Sequence, residues 1–218
     1  MTSHERNYRQ YCGLAVALDA VGERWTLLIV RELLTGPRRY NDLLAGLPGV
    51  GTNLLADRLK KLCAMDVVER QDTGYRLGPR GEQLRETVLA LSKWGISQLG
   101  EPREDMVARP QWGLLAVQAM ADAGRLPEVS ESYEFRIDDE VFHLVVDRGA
   151  LSVARGAAAD PALVIHTDAT TFIRIGAGVL GPFEAVATGR LALSGDQEAV
   201  LRCSLVLGLT GPGSHRPA

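Results

Sequence analysis

Apolar residues recur at helical spacing along the first hundred positions. Leu14, Ala17, Leu18 and Val21 line one face of a short helix over residues 8–21, which Gly22 interrupts. Trp25, Leu28, Ile29 and Leu33 repeat the pattern over residues 23–34, and Gly36-Pro37 stops it. Residues 38–47 carry Tyr40, Leu43, Leu44 and Leu47 on one side before Pro48, Gly49 and Gly51 break the run. The next helix, ending near Met65, places Leu55, Leu59 and Leu62 on one stripe. Its opposite side presents Asn53, Asp57 and Lys60, flanked by Thr52, Ala56 and Lys61, with no large apolar side chain. Helix, tight turn, helix is the unit that lays its second helix in the major groove of DNA, and a plain helical hairpin is the alternative.

The period then changes from helical to alternating. Val67-Val68, a turn at Asp72-Thr73-Gly74 and the return Tyr75-Arg76-Leu77 read as a β-hairpin. A helix-turn-helix followed at once by a hairpin is a winged helix. Arg70 and Arg76 on such a wing suit phosphate or minor-groove contacts, with simple solvation as the alternative. Residues 79–99 form a long helix carrying Leu84, Val88, Leu91, Trp94 and Ile96. One winged-helix unit is too small to cover both this stripe and the N-terminal helix. Pairing across a two-fold axis covers them and presents two recognition helices to half-sites about 34 Å apart.

The charged stretch EPREDMVARP, residues 101–110, has a proline near each end and reads as a linker. After it the pattern predicts a helix over 112–120, strands over 132–137, 141–147, 150–155 and 163–166, and a helix over 169–175 capped by Asp168. A short helix over 182–187, a strand over 191–193 and a final helix over 196–206 complete the second half. The predicted organisation is a DNA-binding and dimerising domain over 1–100, the linker, a ligand-binding domain over 111–210 and a disordered tail over 211–218.

Charge divides the chain in the same place. The 218 residues have a formal net charge of −3, which argues against indiscriminate nucleic-acid binding. Residues 1–103 nevertheless hold 15 Lys and Arg against 12 Asp and Glu, whereas residues 104–218 hold 9 against 15. A basic front and an acidic back point to different partners. No apolar run approaches the roughly 20 residues that span a bilayer, so no membrane partner is expected. The start MTSHERNYRQ lacks the layout of a signal peptide, and three cysteines form no disulfide framework, which fits a reducing cytoplasm.

Several separated blocks agree in order and spacing with a known family. GERWTLLIVRELLTGPRRYNDLLAGLPGVGTNLLADRLKKL, then YRLGPRG, then LALSKWG closely resemble the HxlR-type winged-helix transcription regulators, relatives of the MarR group, over residues 10–97. The resemblance implies that Leu54 to Leu62 lie in the recognition helix and that the first and last helices of the domain form a homodimer. Where that family usually has Ser or Thr as helix cap, Gly51 stands here; Gly caps less well, and Thr52 is expected to take over, moving the helix start by one residue. Cys12 stands where many members carry a cysteine that senses oxidants in some of them; a buried, inert thiol is the alternative. The segments FHLVVDRGALSVARGAAADPALVIHTDATTF and ATGRLALSGDQEAVL resemble the sterol-carrier-protein-like domain, which implies a five-stranded sheet packed by helices around an apolar tunnel. Tandems of the two look like bacterial repressors with a ligand-sensing module.

The expected fold is therefore α+β, a winged helix-turn-helix domain followed by a sterol-carrier-protein-like α/β domain with a five-stranded sheet. Phosphate contacts are expected from Arg39, Lys61, Arg70 and Arg76, and base reading from Thr52, Asn53, Asp57 and Lys60, since Asn suits adenine, Lys guanine, and Asp accepts from cytosine N4. Trp112, Phe172, Ile175, Leu180, Phe183, Leu201 and Leu205 are the candidate lining of an apolar pocket, with plain core as the alternative. His4, His143, His166 and His215 have no metal-ligand spacing, GVGTNL lacks the third glycine of a dinucleotide loop, and no nucleophile motif occurs, so no enzyme, metal or cofactor is expected. The predicted function is a sequence-specific regulator, a repressor, acting on a palindromic DNA operator and answering a hydrophobic small molecule. Alternatives are a hydrophobic-ligand carrier with a dimerising winged helix and a redox-sensing regulator using Cys12.

Overall fold

The computed structural model describes residues 7–209, so the expected tail over 211–218 lies outside the described residues. The described residues form two compact units, divided after Val88.

The first unit begins with α1 (Gly13–Val21), α2 (Thr26–Leu34), α3 (Tyr40–Gly46) and α4 (Thr52–Ala64). Ile29, Val30 and Leu33 of α2 are buried, as are Leu43 of α3 and Leu55, Leu59 and Leu62 of α4, so the helical stripes become the core. Each such side chain contributes roughly 1.5–3 kcal/mol on burial. A hairpin, β1 (Val68–Gln71) and β2 (Gly74–Leu77), follows with Val68 opposite Leu77 and Gln71 opposite Gly74.

Three helix boundaries differ from the sequence reading. The expected helix over 8–21 begins only at Gly13. Tyr8 and Tyr11 are exposed, so residues 8–12 have no buried contact to offset the entropy of ordering, and the Tyr8 N–H donates to Asp19 instead. The expected helix over 23–34 begins at Thr26 because Trp25 sits at φ +78, in the left-handed region. The expected helix over 79–99 is two helices, α5 (Pro79–Glu82) and α6 (Arg85–Ile96). Between them Leu84 N–H bonds back only three residues, to Gly81 C=O at 3.0 Å. A Cβ at Gly81 would lie 2.1 Å from the Val67 carbonyl, so glycine lets this corner close against the hairpin.

The second unit carries α7 (Gln111–Met120), a 3-10 turn (Ala123–Arg125), β3 (Glu131–Ile137), β4 (Glu140–Asp147), β5 (Ala150–Arg155), β6 (Leu163–Thr167), α8 (Ala169–Gly176), α9 (Pro182–Ala187), β7 (Leu191–Gly195) and α10 (Gln197–Val206). The five strands run β5-β4-β3-β6-β7, with β3 and β6 parallel and every other pair antiparallel. Alternation is clean on one face: Tyr133, Phe135 and Ile137 of β3, Phe142, Leu144 and Val146 of β4, and Leu163 and Ile165 of β6 are all buried. Phe135 stacks on Phe142 with centroids 5.1 Å apart, and Phe172 of α8 meets Phe135 edge-on at 6.0 Å. The turn at Arg148-Gly149 has both φ angles positive, the backbone that a tight hairpin requires. At the start of β3, Glu131 accepts bonds from the Arg202 guanidinium of α10 at 2.7 and 2.8 Å and from the Tyr133 hydroxyl. Among the described residues no helix is long and apolar enough to cross a membrane.

Candidate nucleic-acid interface and apolar hollow

The outward face of α4 follows from its buried one. With Leu55, Leu59 and Leu62 in the core, the 100° step of the helix leaves Asn53, Asp57 and Lys60 exposed on the far side. Gly51 caps the helix in extended backbone (φ −79, ψ 149) without a side-chain bond, and Thr52 is the first helical residue. The expected takeover of the cap by Thr52 does not occur. The Tyr40 hydroxyl instead donates to the Thr52 carbonyl at 2.7 Å and ties α3 to the start of α4.

The hairpin is docked by backbone. Arg38 N–H donates to Tyr75 C=O at 2.9 Å, and Tyr75 N–H donates back to Arg38 C=O at 2.8 Å. Arg38 thereby ties the wing to the start of the helix-turn-helix through a single antiparallel bridge. Arg39, next along, is exposed, and its N–H is held by Asp42 at 3.0 Å.

The four cations expected at phosphates sort into two kinds. Arg39 and Arg70 are exposed and engaged in no ion pair among the described residues. Arg76 pairs with Glu69, its cross-strand partner in the hairpin, and Lys61 pairs with Glu23 at 3.1 Å. Glu23 also pairs with Arg58. Burial pushes the Glu23 carboxyl up, but the two cations outweigh it and hold the group below the usual carboxylate range. Sequence reasoning missed Glu23, Arg58 and the docking role of Arg38, because each partner is distant in sequence.

Cys12 is exposed at the N-cap of α1, so the buried reading of this thiol is corrected. The N–H groups of Ala15 and Leu14 hold it below the usual thiol range. Burial pushes the Cys63 and Cys203 thiols up instead. Among the described residues no group of three or more His, Cys, Asp or Glu is placed to hold a metal ion.

In the second unit an apolar hollow of about 50 Å³ lies between α7, α8 and the chain after α10, with Ile96 of α6 at its wall. Phe172 and Ile175 line it, beside Val117, Met120, Ile173 and Leu207. The other five expected lining residues do not. Leu180 is buried in the core and Trp112 is half-buried on α7 outside the lining. Phe183 is 85% exposed, Leu201 61% and Leu205 46%. The correction is rotational. α10 buries Ala199, Cys203 and Val206, and Leu201 and Leu205 stand on the opposite side; α9 buries Ala185 and turns Phe183 outward.

Residues 20–103 match the model of the HxlR-like helix-turn-helix family, and residues 114–208 match that of the SCP-2 sterol transfer family. The HTH-type transcriptional regulator YodB of Bacillus subtilis (strain 168) is 31% identical over 93 residues, which are 39% of this chain and 82% of that protein. The chain belongs to the HxlR-like helix-turn-helix family. An uncharacterized HTH-type transcriptional regulator of Mycobacterium tuberculosis (strain CDC 1551 / Oshkosh) is 37% identical over 93 residues, 39% of this chain. The chain spans 58% of the length of that mycobacterial relative. Among solved structures, quinone-bound YodB from B. subtilis aligns with 31% identity over 39% of this chain and 97% of its own, at a TM-score of 0.37. The family match covers α2 to α6 and the last two residues of α1, and the SCP-2 match takes in the five-stranded sheet and its helices.

Proposed function

We propose that the protein is a sequence-specific DNA-binding transcription regulator that works as a homodimer, represses by occupying its operator, and answers a small apolar effector held in the second unit. The observation that carries the DNA reading is the outward face of α4, where exposed Asn53, Asp57 and Lys60 stand directly behind a fully buried leucine stripe. Those side chains, with Thr52 at the helix start, supply donors and acceptors suited to base edges, and Asp57 disfavours indiscriminate approach to phosphates. The exposed Arg39 and Arg70 supply contacts to the DNA backbone, and Arg76 braces the wing through Glu69. Dimerisation is supported by apolar side chains left on the surface of single helices: Leu14 and Val16 on α1, Leu91 and Trp94 on α6. Enrichment of binding sites from random duplexes with the full chain tests the reading. A two-fold symmetric motif bound in a salt-sensitive manner is expected, and the absence of any enriched sequence overturns it.

The effector reading is supported by the all-apolar lining of the hollow and by the SCP-2 match. At about 50 Å³ the hollow is smaller than the roughly 150 Å³ cavity that accepts benzene, so the effector is compact or enters by displacing the wall. A second reading, thiol sensing, is favoured by the exposure of Cys12 at a helix N-terminus. There, Cys12→Ser abolishes any oxidant response of DNA binding and leaves binding itself unchanged; a retained response rejects it.

A further inference from the structure

Glu23 sits in the tight connection between α1 and α2, far in sequence from the helix it touches. Its backbone is held on both sides: Gly22 N–H donates to Leu18 C=O at 2.8 Å, and Thr26 N–H donates to Glu23 C=O at 3.1 Å. The carboxylate accepts from Lys61 Nζ at 3.1 Å through Oε1 and pairs with Arg58 through Oε2. Arg58 and Lys61 are three residues apart on α4, so they emerge on one side, between the buried stripe and the outward face. The helix carries three cations, Arg58, Lys60 and Lys61, and one anion, Asp57. Glu23 occupies two of the three cations. What remains toward a duplex is Lys60 beside Asp57, a face of no net charge.

We propose that Glu23 is a specificity-setting residue of the DNA interface, a carboxylate anchored on the mostly buried Arg58 that keeps Lys61 off phosphates so that α4 meets DNA through its base-reading face. The proposal rests on the DNA-binding reading above. Its physical basis is that sequence-independent affinity follows the number of phosphates neutralised, whereas base contacts carry the discrimination. An exposed ion pair is weak by itself. Glu23 is effective because it is anchored from two directions: its turn is rigid, and Arg58 is largely buried, with a side chain 18% exposed. When Lys61 swings out, an approaching phosphate still meets the carboxylate. Asp57 and Glu23 then act in concert, one on the face and one behind its edge, to hold down indiscriminate binding.

The test measures anisotropy of a fluorescein-labelled 24-base-pair duplex of arbitrary sequence against the full chain, between 50 and 200 mM NaCl. Four proteins are compared: wild type, Glu23→Gln, Lys61→Gln and the double variant. Releasing Lys61 onto one phosphate steepens the slope of log K against log salt by about 0.9, so the affinity lost over that salt range grows about 3.5-fold. Glu23→Gln is expected to show this steepening, Lys61→Gln alone to keep the wild-type slope, and the double variant to return to it. A purely structural brace moves stability but not this pattern. An unchanged slope in Glu23→Gln, or a flattening of the same size in Lys61→Gln alone, overturns the proposal while leaving DNA binding intact. Lys61→Gln is a surface change and decides the matter if Glu23→Gln does not fold. Failure of all four proteins to bind the duplex at 50 mM overturns the proposal, and a random-duplex selection that also enriches nothing overturns the DNA-binding reading with it.

Discussion

Gly74→Ala should release the wing. Gly74 ends the hairpin turn at φ +145, and a Cβ there would lie 2.3 Å from the Arg38 carbonyl oxygen and 3.0 Å from Arg39 Cα. Both are backbone atoms, so no side chain can swing aside. The substitution costs about 1–2 kcal/mol for placing a side chain at positive φ. It must also push β2 away from residue 38, losing the reciprocal Arg38–Tyr75 bonds of 2.9 and 2.8 Å at about 1 kcal/mol each. The sum is about 3–4 kcal/mol, a large share of the roughly 5–15 kcal/mol that holds a domain folded. Gly36 is the control. It has φ +122 but nothing within 4 Å of a built Cβ, so Gly36→Ala carries the backbone cost alone. Urea unfolding of the two variants, with amide exchange at Tyr75, gives the comparison. At about 1–3 kcal/mol per molar urea, Gly74→Ala should lower the midpoint by at least 1 M more than the wild type and by clearly more than Gly36→Ala, and the Tyr75 amide should lose protection. Equal midpoints for the two variants, or a protected Tyr75, would refute the idea that this one backbone bridge docks the wing.

Three further outcomes are expected. Trp94→Glu puts a charge on the exposed apolar side of α6 and should convert a dimer to a monomer by sedimentation, whereas an unchanged mass sinks the assignment of that face. Phe172→Asp places a carboxylate in the apolar hollow and should abolish any effector response while operator binding survives; an intact response rejects the hollow as the site. The second unit should be acid-labile. Burial pushes Glu131 and Asp168 up, but Arg202 and Tyr133 for the one and Thr171 for the other hold them below their ordinary values of 4.5 and 3.8. Carboxyls depressed in the folded state stabilise above those values and stop doing so as pH falls through the lowered ones. The Tm of the second unit should therefore drop as pH falls below 4.5, less so in Arg202→Gln, and a Tm flat from pH 6 to 3 would refute it.

The second unit was legible because its code is local. Tyr133, Phe135 and Ile137, then Phe142, Leu144 and Val146, alternate with polar residues and are separated by two-residue turns, so strand, face and register follow from one another. The α10 boundaries were equally plain, yet its face was misread. Weighting by side-chain size selects Leu201 and Leu205, whereas the helix buries Ala199, Cys203 and Val206, where small side chains allow close approach to the neighbouring chain. Size predicts how much a residue gains by burial; it does not say which side of a short helix has room. The same reasoning accounts for Phe183 on α9.

The DNA face divides along a similar line. Which residues of α4 look outward is set by Leu55, Leu59 and Leu62, and that is readable from spacing alone. How much charge the face carries is not, because it depends on Glu23 and on Glu69, partners brought by the turn before α2 and by hairpin register. Four cations expected at phosphates become two, Arg39 and Arg70, once those pairs are formed. The functional consequence is a shift in where affinity must come from. On the proposed reading, with few phosphate contacts per subunit a single winged helix holds DNA weakly, and useful occupancy requires two subunits on adjacent half-sites, where the second binds at the high local concentration set by the first. On that reading the exposed stripe on α6 and the near-neutral face of α4 are two sides of one arrangement: discrimination is placed in the helix, and strength in the pairing of two of them.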